Sequence, residues 1–296
     1  MLTGILAGLA AGALWGLVFI APRVLSGFAP VDVAVGRFVV YGAFAAVLVC
    51  AGWRSRPRPT RQQAWAALGL SMLGFTGYYW LLALAIVDAG TELPTLIIGT
   101  IPVWVMLLGK PGHLRWSALL PGLALTMAGL ALMLGVQQAG DTTAYPHTWR
   151  GIGLALAAMA SWTAFAVWNS AWLKRHPEVR ASDWTNWLGI ATGVGAMGLW
   201  LLVGSEPKVL LAQEDKALAA IVFVAIGVGS GWLATVCWSM ASQRLGASLC
   251  GQLIVSETLF GLLYSFVWDG QWPSGLQWLA VVLFTLGIVA SIRVHR

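Results

Sequence analysis

Apolar residues come along this chain in runs of about twenty, separated by short joints rich in proline, glycine and arginine. A helix that crosses the hydrocarbon core of a bilayer needs about 20 mostly apolar residues. The pattern predicts ten such spans, at 2–21, 31–52, 63–87, 91–109, 116–136, 151–173, 184–204, 217–241, 247–267 and 275–293. Breakers fill the joints: Pro30, the run Arg54 to Arg61 with Pro57 and Pro59, Pro111–Gly112, Asp141–Arg150, Pro177, Glu206–Pro207 and Asp269–Pro273. The third-to-fourth and eighth-to-ninth joints are very short. Strands of a membrane barrel would alternate over about ten residues instead of running apolar for twenty, which excludes a barrel. The expected fold is all-α and integral to the membrane.

Composition supports the same class. Apolar residues make up 59 % and charged residues 9 %, against about 45–50 % and about 25 % in ordinary globular proteins. That sets aside soluble enzymes, nucleic-acid binders and disulfide-built secreted domains. Eighteen tryptophans suit the membrane interfaces, and 35 glycines suit close helix packing. Cys50, Cys237 and Cys250 have apolar sequence neighbours and no ligand spacing, and read as buried, inert thiols. The opening MLTGILAGLA has no basic residue, and the first cation is Arg23, so the first run is expected to be retained as a span.

Basic residues set the orientation. With the N-terminus inside, the cytoplasmic side holds twelve: Arg54, Arg56, Arg58, Arg61, Lys110, Arg115, Lys174, Arg175, Arg180, Arg244, Arg293 and Arg296. The outer side holds four, Arg23, Arg150, Lys208 and Lys216, while Arg37 falls within the second span. This asymmetry satisfies the positive-inside rule and puts both termini in the cytoplasm. The formal charge of +6 is therefore topology and not a nucleic-acid footprint.

The two halves resemble each other. Gly4, Ile5 and Trp15 match Gly151, Ile152 and Trp162 at an offset of 147, and Gly69, Trp80 and Gly129 match Gly227, Trp238 and Gly287 at 158. The difference leaves room for a longer loop around Val209–Lys216. Five spans duplicated is an odd number, so the second copy enters the membrane inverted, as in secondary transporters that hold substrate between their repeats.

Several stretches carry a family likeness. They are LWGLVFIAPRVL (Leu14–Leu25), Arg37–Phe38, and Leu82–Gly109 ending in TIPVWVMLLG. In the second half they are SWTAFAVWNSAWLKR (Ser161–Arg175) and the run Ser256–Ser291. By their order and spacing the chain resembles the drug/metabolite transporter superfamily, with two EamA-type repeats at 1–137 and 148–294. At branch level it resembles the bacterial amino acid exporters of the YddG type. The resemblance implies a ten-helix basket in the bacterial inner membrane. It departs from the family where Glu257–Thr258 stands for the common Glu-Pro, and where Gly112–His113 and Gly270–Gln271 replace a frequent glutamate. Ion coupling is therefore not carried over.

Candidate site residues follow from polarity at depth. Glu257 is the carboxylate nearest the middle of a span, where an ionised acid costs on the order of 2.5–3.5 kcal/mol. Two readings stand for it: a group in a cavity that takes protons or a substrate ammonium, or a protonated acid bonded to a neighbouring helix. Arg37 lies within snorkelling distance of the outer surface and reads as structural. Thr95, Gly99 and Pro102 share one face of the fourth span, and Gln252 and Ser256 sit four apart in the ninth. They fit a cavity lining or helix–helix hydrogen bonds, and the cavity is preferred. Tyr78, Tyr79, Trp162 and Trp238 are deep aromatics. Gly4, Gly8, Gly12 and Gly16 form a stripe for close helix packing.

The expected lining is thus Tyr78, Tyr79, Thr95, Gly99, Trp162, Trp238, Gln252, Ser256 and Glu257. It is neutral, aromatic or small with one acid, which suits zwitterions better than phosphates, since phosphates want arginine or lysine partners. The sequence predicts a transporter of neutral and aromatic amino acids, with the lipid bilayer as its other partner. No nucleic acid, cofactor, metal or catalytic residue is expected. The histidines at 113, 147, 176 and 295 lie in loops or at the terminus, and no GxxxxGK[ST] loop occurs. The rivals are a transporter of the same fold for another metabolite or drug, and an intramembrane enzyme or scaffold.

Overall fold

The computed structural model describes residues 1–52, 58–90, 92–112, 114–137, 147–213, 215–270 and 272–295. Among these residues every regular element is helical. The expectations that rest on Arg54, Arg56, Pro57, His113 and the joint from Asp141 lie partly or wholly outside them.

Among the described residues nine helices are long and apolar enough to cross a membrane, and the segment expected as the fourth span is a shorter apolar helix. We number the segments α1 (Leu2–Phe19), α2 (Pro30–Ala51), α3 (Arg61–Ala89), α4 (Glu92–Gly99 and Ile101–Leu108), α5 (Trp116–Gln137), α6 (Thr148–Arg175), α7 (Ala181–Val203), α8 (Lys216–Arg244), α9 (Ala247–Asp269) and α10 (Gly275–Val294). The starts of α3 and α10 are fixed by reciprocal caps. Thr60 and Ser274 accept from the amides of Gln63 and Gln277, whose side chains bond back. The very short joint after α3 is made by Gly90, at φ 73°, a backbone that side chains resist. Where a longer loop was expected in the second half, the chain forms a short helical turn, Pro207–Leu211.

The fourth span differs from its expected unbroken course over 91–109. Pro102 has no amide to donate, and the helix breaks at Thr100. At the break the Thr100 hydroxyl donates to the Ile97 carbonyl at 2.6 Å, and the Trp104 indole N–H donates to that hydroxyl at 3.2 Å. Within the hydrocarbon region freed backbone groups must find such partners.

Two further loosened turns lie at matching places in the halves. Met72–Thr76 in α3 and Ile226–Leu233 in α8 wind as π-helix. Of the matched residues, Gly69 and Trp80 bracket the first turn, while Gly227 lies within the second and Trp238 follows it. Such wide turns inside α-helices recur at functional sites.

Small residues decide which helices meet. α1 lies against α8 and α9, and α3 against α6, while α2 pairs with α7, α4 with α9, and α5 with α10. The α1 stripe is buried at Gly4, Gly8, Gly12 and Gly16 and receives Leu245, Leu253, Ser256 and Phe260. At the α2–α7 crossing a Cβ on Gly42 would stand 2.6 Å from Gly193 Cα, so backbone touches backbone. Where α3 ends and α6 begins, Arg150 holds buried Asp88 through two hydrogen bonds, of 2.5 and 2.7 Å. Cys250 is buried and Cys237 partly so, whereas Cys50 is exposed on α2, contrary to its expected burial. Ala43 and Val47 on the same face are exposed as well among the described residues, and apolar sequence neighbours alone do not distinguish an exposed face from a core one.

Candidate functional site

The aromatic wall of the site comes from three helices. Trp15 lies on α1 about one turn beyond Gly12, next to the last glycine of the stripe, Gly16. Trp238 follows the wide turn of α8, and Trp162 lies midway along α6. Their rings meet pairwise, with centroids 5.4 Å apart for Trp15–Trp238, 6.3 Å for Trp162–Trp238 and 6.5 Å for Trp15–Trp162. Trp238 is 1 % exposed, and its indole N–H has no partner among the described residues. A buried donor of this kind calls for a water or a ligand. Trp15, Trp162 and Tyr78 keep part of their surface accessible and pack against the same core.

Two ionisable side chains, Arg37 and Glu257, also lie within long apolar helices. Arg37, on α2, interacts electrostatically with Tyr79, Glu257 and Tyr78. Its guanidinium lies 4.6 Å from the centroid of Phe38, and Phe38 in turn meets Tyr79 edge-on at 5.9 Å. Tyr78 interacts with both Glu257 and Arg37. No direct hydrogen bond or ion pair joins Arg37 to Glu257 among the described residues, and Arg37 Nε is buried without a partner. Both side chains retain some accessible surface. The α1 stripe sets the backbone position of Glu257, since a Cβ on Gly12 would stand 3.0 Å from the Glu257 amide nitrogen.

Of the nine residues expected to line a cavity, the structure gathers Tyr78, Tyr79, Trp162, Trp238 and Glu257. It places the other four elsewhere. Gln252 is 1 % exposed and donates to Thr126 Oγ1 on α5 at 2.7 Å, a bond between helices. Ser256, 1 % exposed, donates to the Leu253 carbonyl at 2.7 Å and fills the space over Gly12. Gly99 faces Leu130 of α5, and Thr95 is on an exposed face of α4. A shared helical face identified these four as polar or small, but a face turned to a neighbouring helix has the same composition as one turned to a cavity.

Sequence reasoning left two site residues out. Trp15 was signalled by its match to Trp162 at the first offset. Arg37 was read as structural, because its place in α2 does not reveal the residues of α3 and α9 that interact with it. No group of three or more His, Cys, Asp and Glu side chains could hold a metal among the described residues.

With this geometry in place, comparison with known proteins is decisive. The profile of the EamA-like transporter family matches residues 2–135 and again 149–293. The chain belongs to the EamA-like transporter family. Its two repeats account for nearly the whole length, as the sequence resemblance implied. This EamA-like transporter is 32 % identical to inner membrane protein YtfF of Escherichia coli (strain K12), over 99 % of this chain and 96 % of that protein. A solved crystal structure 21 % identical to it covers 99 % of this chain and 97 % of its own with a TM-score of 0.80, which speaks for the fold alone.

Proposed function

We propose that this EamA-like transporter exports neutral and aromatic amino acids across the bacterial inner membrane by alternating access, with both termini cytoplasmic and no cofactor. The inner membrane is named for its relative YtfF, and the twelve-to-four distribution of basic residues supports the orientation. Two inverted repeats, at 1–137 and 148–294, are supported by how the helices pair. Exchanging the halves carries α2–α7, α4–α9 and α5–α10 onto themselves, and carries α1–α8 onto α6–α3. Rocking one repeat against the other then exposes a site between them to either side in turn.

The observation that carries the reading is the wall of Trp15, Trp162 and Trp238, drawn from both halves. Aromatic faces receive apolar and aromatic side chains with loose selectivity, because such surfaces discriminate methylenes weakly. The test is efflux from sealed liposomes containing the purified protein, comparing phenylalanine, tryptophan and threonine with phosphorylated metabolites. Trp162→Ala should weaken the apparent affinity for phenylalanine more than for threonine. Liposomes that move phosphorylated metabolites but no amino acid overturn the substrate reading.

A further inference from the structure

Away from the tryptophan wall, a cleft of about 290 Å³ opens at one end of the bundle. Arg58 and Gln63, at the start of α3, line one side, and Glu178, Arg180, Asp183 and Trp187, from the α6–α7 joint and the first turns of α7, line the other. The first pair belongs to one matched repeat and the second group to the other, so the cleft lies between the repeats. Its sides are held in place from behind. Gln63 is fixed in the reciprocal cap of α3, and Gln243 at the end of α8 donates to the Val179 carbonyl at 2.8 Å. Trp187 is 9 % and Asp183 5 % exposed, whereas Arg58, Glu178 and Arg180 are exposed. An indole and a carboxylate, four apart on one face of α7, thus form the floor, and the other charges form the rim.

Pockets for drug-sized molecules begin at about 300 Å³, so this cleft suits one small metabolite. Two guanidinium groups and two carboxylates around one space cancel in formal charge. An anion entering it would meet Glu178 and Asp183, and a simple cation would meet Arg58 and Arg180. A small zwitterion finds a partner for each end, and its apolar side chain finds Trp187. The floor also reaches the wall through packing: Trp187 shares an apolar cluster with Phe165, against which Trp162 packs, and the Phe165 and Trp162 rings lie 5.9 Å apart.

We propose that this cleft is a loading site for a zwitterionic amino acid, on the cytoplasmic side in the proposed orientation, occupied before the tryptophan wall. Arg58 and Arg180 face the carboxylate, Asp183 and Glu178 the ammonium, and Trp187 the side chain. The assignment rests on the amino-acid export reading and adds a second site to it. Because the two sides of the cleft come from different repeats, rocking of the repeats changes its width. A ligand that bridges them therefore binds one conformation better than the other and shifts the population toward it.

The test is saturation binding of radiolabelled L-phenylalanine to the purified full chain in nanodiscs, prepared with and without phosphatidylethanolamine. Two equivalents per chain are expected in both. Arg180→Glu, a charge reversal at an exposed position, should weaken one equivalent about tenfold or more, the scale of a lost charge-assisted hydrogen bond, and leave the other. Glu178→Lys, also exposed, should do the same, while Trp162→Ala should weaken the equivalent that both spare. Phenylalaninamide, which lacks the carboxylate, and 3-phenylpropanoate, which lacks the ammonium, should each displace the Arg180-sensitive equivalent at least tenfold more weakly than phenylalanine. A single equivalent indifferent to Arg180→Glu and Glu178→Lys overturns the loading site and leaves the export reading standing. Analogues that compete as well as phenylalanine overturn its zwitterion preference. A second equivalent seen only without phosphatidylethanolamine gives the cleft to a lipid headgroup and overturns the substrate assignment. A protein that binds no amino acid overturns the loading site and the export reading together.

Discussion

Gly42→Ala is the sharpest test of how the bundle is held. The added Cβ would stand 2.6 Å from Gly193 Cα, 2.9 Å from the Gly189 carbonyl oxygen and 3.1 Å from the Gly193 amide nitrogen. Carbon atoms rest about 3.5–4.0 Å apart, so α2 and α7 must separate by about 1 Å. No rotamer relieves the clash, because every atom met is backbone. Overpacking of this kind costs about 1–3 kcal/mol, which lowers the ratio of folded to unfolded protein roughly five- to 150-fold. The separation also strains Tyr41, whose hydroxyl donates to the Thr185 carbonyl at 2.8 Å across the same interface. The assay is thermal unfolding in detergent followed by tryptophan fluorescence. Gly198→Ala is the control, since nothing lies within 4 Å of the Cβ it adds to α7. A wild-type unfolding midpoint for Gly42→Ala, or an equal loss for Gly198→Ala, would refute the backbone contact.

Three further outcomes follow from particular contacts. Thr126→Val leaves Gln252 Nε2 without its buried acceptor and should cost about 1–3 kcal/mol; unfolding curves should show much of the loss recovered in Thr126→Val with Gln252→Leu, and an undiminished single variant would show that the bond is not formed. Asp88→Arg and Arg150→Asp should each reduce transport and stability, and the double exchange should restore part of both, because the bidentate pair joins α3 to α6; additive losses in that double-mutant cycle would exclude coupling. Periplasm-active reporters fused after Pro30, Gln138 and Pro207 should be active and those after Pro57, Pro111 and Pro177 silent, and the reverse pattern would overturn the orientation.

The helices were legible because the bilayer imposes a length of apolar chain that little else in a sequence imitates. The α1 stripe was legible for a similar reason: four glycines at one spacing have few uses besides a close partner, and Leu253 and Ser256 occupy the space they leave. The wide turns in α3 and α8 were not legible, since a π turn differs from an α turn by a hydrogen-bond register that composition does not encode. Gln252 and Thr126, 126 positions apart, show the limit at the site. A polar residue at depth announces that it needs a partner without saying whether the partner is a helix or a ligand. Arg37 shows the same limit from the other side. Its place within α2 was readable from the sequence, but its interaction with Glu257 and Tyr78 arises only through packing between distant segments.

The break in α4 has a consequence for the lipid itself. Its apolar stretch, Leu93–Leu108, is shorter than the nine long helices. At about 1.5 Å per residue it reaches only some 24 Å, against a hydrocarbon core of about 30 Å. The bilayer beside α4 must thin, or headgroups and water must descend to meet the ends of the helix. The insulating layer is therefore narrowest on the flank where α4 packs against α9, the helix that carries Glu257. A solute leaving the centre of the protein on that flank has less oil to cross than the surrounding membrane would present.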